Sequence, residues 1–120
     1  LSQSAGDAET RVSESASNSL AQAQAHLDTV VTGFPGSPHM GKALLARGWG
    51  HWGAGRFAES RNDFAAAITN LPPSAPVVIA HFKLGDSHFR LGDPKAAQTN
   101  YQAVTRLAPE LAPGDENLFQ

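Results

Sequence analysis

The sequence repeats with a constant spacing of 37 residues, and this period restricts the possible folds more than any other feature. The aligned stretches are residues 17–35, 54–72 and 91–109, which end in Pro35, Pro72 and Pro109. Residues 44–55 and 81–92, which lead into the second and third of these stretches, also match each other. A fixed period of this kind is typical of arrays in which each repeat forms one small unit and packs on the next.

The repeated residues follow the spacing of α-helices. Ser60, Phe64 and Ala67 lie at positions i, i+4 and i+7 and therefore share one helix face. Gly48 and Gly85 fall inside helical patterns, where glycine costs about 1 kcal/mol relative to alanine. We therefore expect a neighbouring helix to approach closely at both glycines.

The connections between helices carry their own signals. Gly55 and Gly92 punctuate the turns, where a positive φ is expected. Asp93-Pro94 is typical of an N-cap followed by the first helical residue, and Ser37-Pro38 is expected to begin a helix in the same way. The closing prolines are expected to stop the second helix of each unit.

These signals divide the chain into helices and repeats. The predicted helices lie near 38–53, 57–70, 76–91 and 94–107, with a further helix over at least 19–32. The repeat domain spans 17–113, with a partial repeat 17–37 and repeats 38–73 and 74–109. Residues 1–16 are polar and either extend the first helix from an Asp7 cap or form a flexible linker. Residues 114–120 either start another helix or include the remnant of a protease tag, which ENLFQ resembles.

Composition excludes several classes of partner and site. The net charge is −2, and Lys and Arg do not cluster, which disfavours a nucleic-acid surface. No apolar run approaches the roughly 20 residues that span a bilayer. The absence of cysteine excludes disulfides and thiolate metal sites. Because the sequence begins at Leu1 without an initiator Met or a signal peptide, we expect it to be a piece of a longer protein.

Small, aromatic and proline residues recur in a fixed order in the last two copies. They are Gly48, Trp52, Gly55, Ser60, Phe64, Ala67 and Pro72, then Leu84, Gly85, Phe89, Gly92, Ala97, Tyr101 and Pro109. This pattern resembles the tetratricopeptide repeat, covering residues 38–109 well and residues 19–35 in part. The resemblance implies an all-α fold, an α-α superhelix formed as a right-handed solenoid of antiparallel helix pairs.

The sequence also departs from the family pattern. The period is 37 residues rather than about 34, His51 and His88 stand where tyrosine is common, and Arg47 stands where leucine is usual. The longer period, with the connections FPGSP and LPPSAP, resembles bacterial envelope proteins of the periplasmic Tol-Pal-associated and outer-membrane assembly lipoprotein types. That resemblance implies a periplasmic or cell-envelope location, with the cytoplasm as the alternative.

The family resemblance implies a protein–protein interaction scaffold that is not an enzyme and needs no cofactor. In the family, the first helices of the repeats line a concave groove that binds peptides. The implied groove residues are Lys42, Leu45, Trp49, Trp52, Ile79, Phe82, Asp86, Phe89 and Arg90. We expect a protein or peptide partner, no nucleic acid and no direct membrane insertion.

The alternative function is a structural or oligomerisation module of a larger envelope protein. It would follow a coiled coil near residues 8–32. Arrays of this kind normally end in a polar capping helix, and the sequence stops soon after Pro113. The outer face of helix 94–107 is therefore expected to be partly apolar and to support self-association.

Several groove candidates have a packing alternative. Trp49 either faces the groove or packs against the first repeat. Trp52 is favoured as a core residue because Phe89 takes the same place in the next repeat. Asp86 and Arg90, at i and i+4, fit a surface ion pair, and Lys42 fits a solvated helix position.

Five histidines raise the hypothesis of a metal or catalytic site, but their positions argue against it. His81 and His88 share a helix face, yet His51 repeats the place of His88, so packing explains these two. The sequence contains no HExxH, GxSxG or P-loop motif. The glycine-rich stretch 48–55 has its glycines at packing and turn positions and does not follow a predicted strand. We therefore expect neither catalysis nor a bound metal.

Overall fold

A computed structural model describes the backbone of residues 2–111 and the side chains of residues 11–109 except 12, 13, 16 and 17. In this part of the chain five α-helices follow one another: α1 Ser2–Gly33, α2 Met40–Gly53, α3 Phe57–Asn70, α4 Ala75–Arg90 and α5 Pro94–Leu111. Each helix packs on the next one along the chain. This succession is the arrangement expected of stacked helix pairs.

The turns between α2 and α3 and between α4 and α5 depend on glycine. Gly55 has a φ of 77° and Gly92 has a φ of 84°, which confirms the predicted positive values. Residues that carry a Cβ are strained in this backbone conformation, whereas glycine adopts it freely. Each glycine therefore allows the second helix of its repeat to fold back on the first.

Helix α5 begins as predicted, but α2 does not. The Ala96 N–H donates a hydrogen bond of 3.2 Å to Asp93 Oδ1, and the helix begins at Pro94. In contrast, α2 begins at Met40 rather than at Pro38. The hydroxyl of Ser37 accepts a hydrogen bond of 3.1 Å from the His39 N–H, and this local turn delays the start of the helix.

The prediction that Pro109 ends its helix is wrong. Helix α5 continues to Leu111, with Pro109 inside it. Before Pro72, in contrast, Leu71 leaves the helix with φ −106° and ψ 144°, the extended conformation that a following proline favours. Pro109 removes one amide hydrogen bond, to the carbonyl of Thr105, in the last turns of α5. Both residues are exposed, so water can replace this bond.

Helix α1 is longer than the segment predicted from periodicity. It is continuous from Ser2 to Gly33, so Asp7 lies inside the helix rather than at its N-terminus. Although α1 has 32 residues, none of the described helices is long and apolar enough to cross a membrane. Leu1 and residues 112–120, and with them the alternatives for 114–120, lie outside the described residues.

Gly48 in α2 and Gly85 in α4 allow the close contacts predicted for them. A Cβ added to Gly48 would lie 3.0 Å from Cε1 of Phe64, and one added to Gly85 would lie 2.7 Å from Cε1 of Tyr101. Carbon atoms normally stay further apart, at about 3.5–4.0 Å. In each repeat, glycine therefore lets the aromatic ring of the second helix lie directly on the first helix.

The core lies between α2, α3 and α4 and holds these helices together. It is formed by Met40, Leu44, Ala67 and Ala80, with Val31, Leu45, Ala66, Ile68 and Leu71 packed around it. The hydroxyls of Ser60 on α3 and Ser87 on α4 are fully buried and lie 2.8 Å apart, so each has a hydrogen-bonding partner. This packing positions α2 and α4, which carry the predicted groove.

Candidate protein-binding groove

The nine predicted groove residues lie on α2 and α4, the first helices of the two complete repeats. The exposed members are Lys42, Trp49, Ile79, Phe82, Phe89 and Arg90, and the half-buried members are Leu45, Trp52 and Asp86. Leu45 packs against the core, so it supports the groove from below. Lys42 is exposed, as a solvated helix residue is expected to be.

Lys83 connects α4 to both tryptophans of α2. Its Nζ lies 3.7 Å from the ring centre of Trp52 and 4.8 Å from that of Trp49. An ammonium group over an aromatic face is attracted by the ring quadrupole. Lys83 is only 8% exposed, so this cation fixes the rings rather than facing solvent. We did not predict its role, although its spacing of three residues from Asp86 was an available signal.

Asp86 pairs with Lys83 and Tyr101, and the i, i+4 ion pair with Arg90 does not form. Its carboxylate accepts hydrogen bonds from Lys83 Nζ at 3.2 Å and from the Tyr101 hydroxyl at 2.6 Å. The Arg90 guanidinium carbon instead lies 5.5 Å from the ring centre of Phe57. The Lys83, Asp86 and Tyr101 side chains therefore tie α2, α4 and α5 together beneath the groove.

The environment of Tyr101 makes its phenol harder to ionise. Burial is the main cause, and the hydrogen bond to Asp86 and the charge of that carboxylate add to it, which together raise the pKa of Tyr101 to about 12. The ordinary tyrosine pKa is about 10. The folded state therefore binds this proton more tightly than the unfolded state. The contribution of the protonated Tyr101 to the free energy of unfolding is complete below about pH 10 and is lost as the pH rises to about 12.

We expect the tyrosinate absorbance of the folded protein to rise with a midpoint near pH 12. Tyr101 is the only tyrosine, so the signal reports this group alone. In Asp86→Asn the midpoint should move down, because the negative charge is gone, but stay above about 10 because the ring remains buried. A native midpoint close to that of a free tyrosine would contradict the contact between Tyr101 and Asp86.

The two tryptophans are packed differently. Trp52 is half-buried, with its ring centre 4.9 Å from that of Phe57, as expected of a packing residue. Trp49 is 45% exposed, and its ring centre lies 6.1 Å from that of the buried Phe64. Phe89, at the place of Trp52 in the next repeat, is 63% exposed. Aromatic contacts with α3 thus hold one edge of each tryptophan ring, while Phe89 is mostly exposed.

Two family models of the tetratricopeptide repeat match the chain, one over residues 13–76 and the other over residues 78–111. The chain belongs to the tetratricopeptide repeat family. Its described helices therefore form the α-α superhelix that the family resemblance implied. No curated protein and no solved structure matches the chain. Tetratricopeptide repeats are generally protein–protein interaction modules and typically non-enzymatic scaffolds, which indicates protein partners.

The tetratricopeptide repeat 38–73 contains an ion pair that we did not predict, between Arg47 and Asp63. Arg47 donates hydrogen bonds of 2.8 and 2.7 Å to the two carboxylate oxygens of Asp63 and one of 3.1 Å to Asp28. The Asp63 side chain is only 6% exposed. The hydrogen bond with Asp63 raises the pKa of Arg47 further above its ordinary value, against the effect of burial. The departure from leucine at position 47 was the available signal.

The histidines of the tetratricopeptide repeats make isolated contacts. His51 Nε2 lies 3.6 Å from an Asp63 oxygen, and its Nδ1 is buried without a hydrogen-bond partner among the described residues. His81 Nδ1 lies 3.3 Å from the side-chain oxygen of Asn100. In the described part of the chain, no three His, Cys, Asp or Glu side chains are grouped to hold a metal ion.

Proposed function

We propose that the groove formed by α2 and α4 binds a peptide or protein segment. The main support is the exposure of four large apolar side chains, between 43% and 63%, on these two helices: Trp49, Ile79, Phe82 and Phe89. Exposed apolar surface of this kind is typical of an interaction site. Tryptophan in particular often supplies much of the binding free energy at an interface.

The packing beneath the groove supports the same proposal. Lys83 and Phe57 contact Trp52, and Phe64 contacts Trp49, so both indoles are oriented before a partner arrives. Side chains that are ordered in advance lose less entropy on binding, which favours affinity. A rigid pair of tryptophans therefore suits the recognition of apolar side chains.

The groove also indicates the chemistry of its partner. A pocket of about 420 Å³ is lined by Trp52, Asp86, Phe89, Arg90 and Tyr101. Asp86 is engaged by Lys83 and Tyr101, whereas Arg90 is exposed. We infer a segment with apolar side chains and a carboxylate near Arg90. The resemblance of the 37-residue period and the proline-rich connections to those of bacterial envelope proteins supports a periplasmic or cell-envelope setting in a bacterium.

We expect the double variant Trp49→Ala, Phe89→Ala to weaken peptide binding by at least about tenfold. Peptides would be selected from a random displayed library on the immobilised protein, and the affinity of one selected peptide would be measured by fluorescence anisotropy. The two side chains are 45% and 63% exposed, so the variant should still fold.

Phe34→Ala is the matched control for this experiment. Phe34 is 59% exposed but lies in the turn after α1, outside the groove residues. Its replacement should leave the affinity unchanged. Unchanged binding by the double variant, or an equal loss in Phe34→Ala, would show that the groove assignment is wrong.

Self-association through the C-terminal end is a second candidate function. A pocket of about 470 Å³ at this end is lined by Phe82, Tyr101, Val104, Thr105, Ala108 and Pro109, which we call the tail face. Tyr101 and Val104 repeat the positions of Phe64 and Ala67, which are fully buried one repeat earlier, where Ala67 lies in the core with Ala80 of α4. The equivalent apolar surface on α5 therefore favours a further contact.

We expect sedimentation velocity to show reversible self-association that increases with protein concentration. Thr105→Arg should shift the protein towards monomer, because it places a charge on the exposed rim of the tail face. Thr99→Arg, on an exposed position of α5 outside that face, is the control. A strictly monomeric wild type at high concentration would exclude this function.

A further inference from the structure

A second apolar cleft, separate from the groove pocket, opens between α1 and α2. Its volume is about 890 Å³, and its lining includes Leu20, Ala23, Leu27, Trp49, Gly50 and Gly53. Leu20 is 67% exposed and Trp49 is 45% exposed. We call this space the α1/α2 cleft.

The internal repeat shows how the equivalent cleft is filled elsewhere in the molecule. One repeat later, the two leucines of α1 become Phe57 and Phe64 of α3. There α2 covers them, with Trp52 packed edge-on against Phe57 at a ring-centre distance of 4.9 Å. Phe64 lies against Gly48, where an added Cβ would be 3.0 Å from the ring. A helix with glycine and then tryptophan four residues later therefore fits this kind of cleft.

The opposite walls of the two clefts correspond as well. Ala46 and Gly53 of α2 take the places of Lys83 and Arg90 of α4. In the filled cleft, Lys83 Nζ lies 3.7 Å and the Arg90 guanidinium carbon 5.8 Å from the Trp52 ring centre. In the α1/α2 cleft these cations are replaced by small residues. The open cleft is therefore wider at these two positions, although Asp28 and Arg56 also line it.

The 37-residue period makes residues 3–16 the counterpart of α2, but these residues do not fill the α1/α2 cleft. They belong to α1, and Asn18, at the position of the turn glycines, lies inside the unbroken helix. Arg11 takes the place of Gly48, and Ser15 takes the place of Trp52. A long charged side chain and a small hydroxyl do not match the space that glycine and tryptophan occupy. The mismatch also applies to the same segment of a second copy.

We propose that the α1/α2 cleft binds an amphipathic α-helix of a partner protein. The helix presents glycine or alanine to Leu27 and, four residues later, an aromatic side chain to Leu20. A helix that lays its apolar face in such a cleft is a common mode of recognition. The proposal rests on the repeat geometry and does not depend on peptide binding in the groove.

The test uses the full chain and a labelled, acetylated and amidated peptide with the sequence of residues 40–53. This peptide is chosen because α2 fills the equivalent cleft. We expect saturable binding by fluorescence anisotropy, weakened at least about tenfold by Trp52→Ala or Gly48→Arg in the peptide. Leu20→Asp in the protein should weaken binding by a similar factor. Leu91→Asp, at a 41% exposed position after α4, should leave it unchanged.

Four results would overturn the proposal. Two are the absence of saturable binding and the absence of any effect of Leu20→Asp in a protein with wild-type circular dichroism. A loss of affinity in Phe89→Ala as large as in Leu20→Asp would place the peptide in the groove, and self-association abolished by Leu20→Asp would make a second copy the occupant. The groove proposal is decided separately, by selected peptides and the single variant Phe89→Ala, because Phe89 lines the groove pocket whereas Trp49 also lines the α1/α2 cleft.

Discussion

Replacing Phe64 with alanine is expected to lower the free energy of unfolding by about 4 kcal/mol. Phe64 is fully buried and packs between Gly48 and Trp49, so its ring holds α3 against α2. Its removal would open a cavity that Gly48 has no side chain to fill. Since small domains are stable by only about 5–15 kcal/mol, this loss is a large share of the total.

Urea unfolding followed by circular dichroism would measure this effect, with Phe34→Ala as the matched control. Phe34 is 59% exposed, and surface replacements of this kind usually change stability by about 0.5 kcal/mol or less. If Phe64→Ala were no more destabilising than Phe34→Ala, the packing of α2 on α3 would be wrong.

Arg47→Ala is expected to destabilise the protein by about 3 kcal/mol. The Asp63 side chain is 6% exposed, and Arg47 occupies both of its oxygens. Without the guanidinium, a buried carboxylate would keep only the 3.6 Å contact with His51. The loss therefore comes mainly from leaving a charge buried without its partner, rather than from the net strength of the ion pair.

Arg56→Ala provides a control of the same chemistry at the surface. Arg56 and Glu59 form an i, i+3 pair at 3.7 Å, and their side chains are 54% and 51% exposed. Exposed pairs contribute only about 0–1 kcal/mol. Chemical denaturation of both variants at neutral pH would compare them. Similar losses in the two variants would contradict the burial of the pair formed by Arg47 and Asp63.

The repeat pattern predicted the parts of the fold that depend on residue type at single positions. Gly55 and Gly92 are needed where φ is positive, and Gly48 and Gly85 are needed where an aromatic ring touches the backbone. Such positions leave a direct mark in the sequence. The assignment of α2 and α4 as the helices that carry the candidate groove came instead from the family resemblance, and it stays a prediction.

Features that depend on pairs of distant residues were not predictable in this way. Lys83 and Tyr101 meet at Asp86 only because α4 and α5 pack together, and a single sequence does not specify which polar side chains meet.

Two helices also extend further than predicted. Helix α1 continues through Asn18 because the sequence there has no glycine to turn the chain. Pro109 is tolerated within α5 because it removes only one hydrogen bond near the exposed end of the helix.

The indole N–H signals of the two tryptophans provide the most direct test of binding in the groove. A ¹H–¹⁵N spectrum contains one such signal for Trp49 and one for Trp52, which single Trp→Phe variants would assign. On titration with a peptide selected from the displayed library, both signals should shift and reach saturation together. Trp52 is the more decisive of the two, because it lines the groove pocket whereas Trp49 also lines the α1/α2 cleft. A peptide that binds with saturation while the Trp52 signal stays in place would contradict the proposed groove.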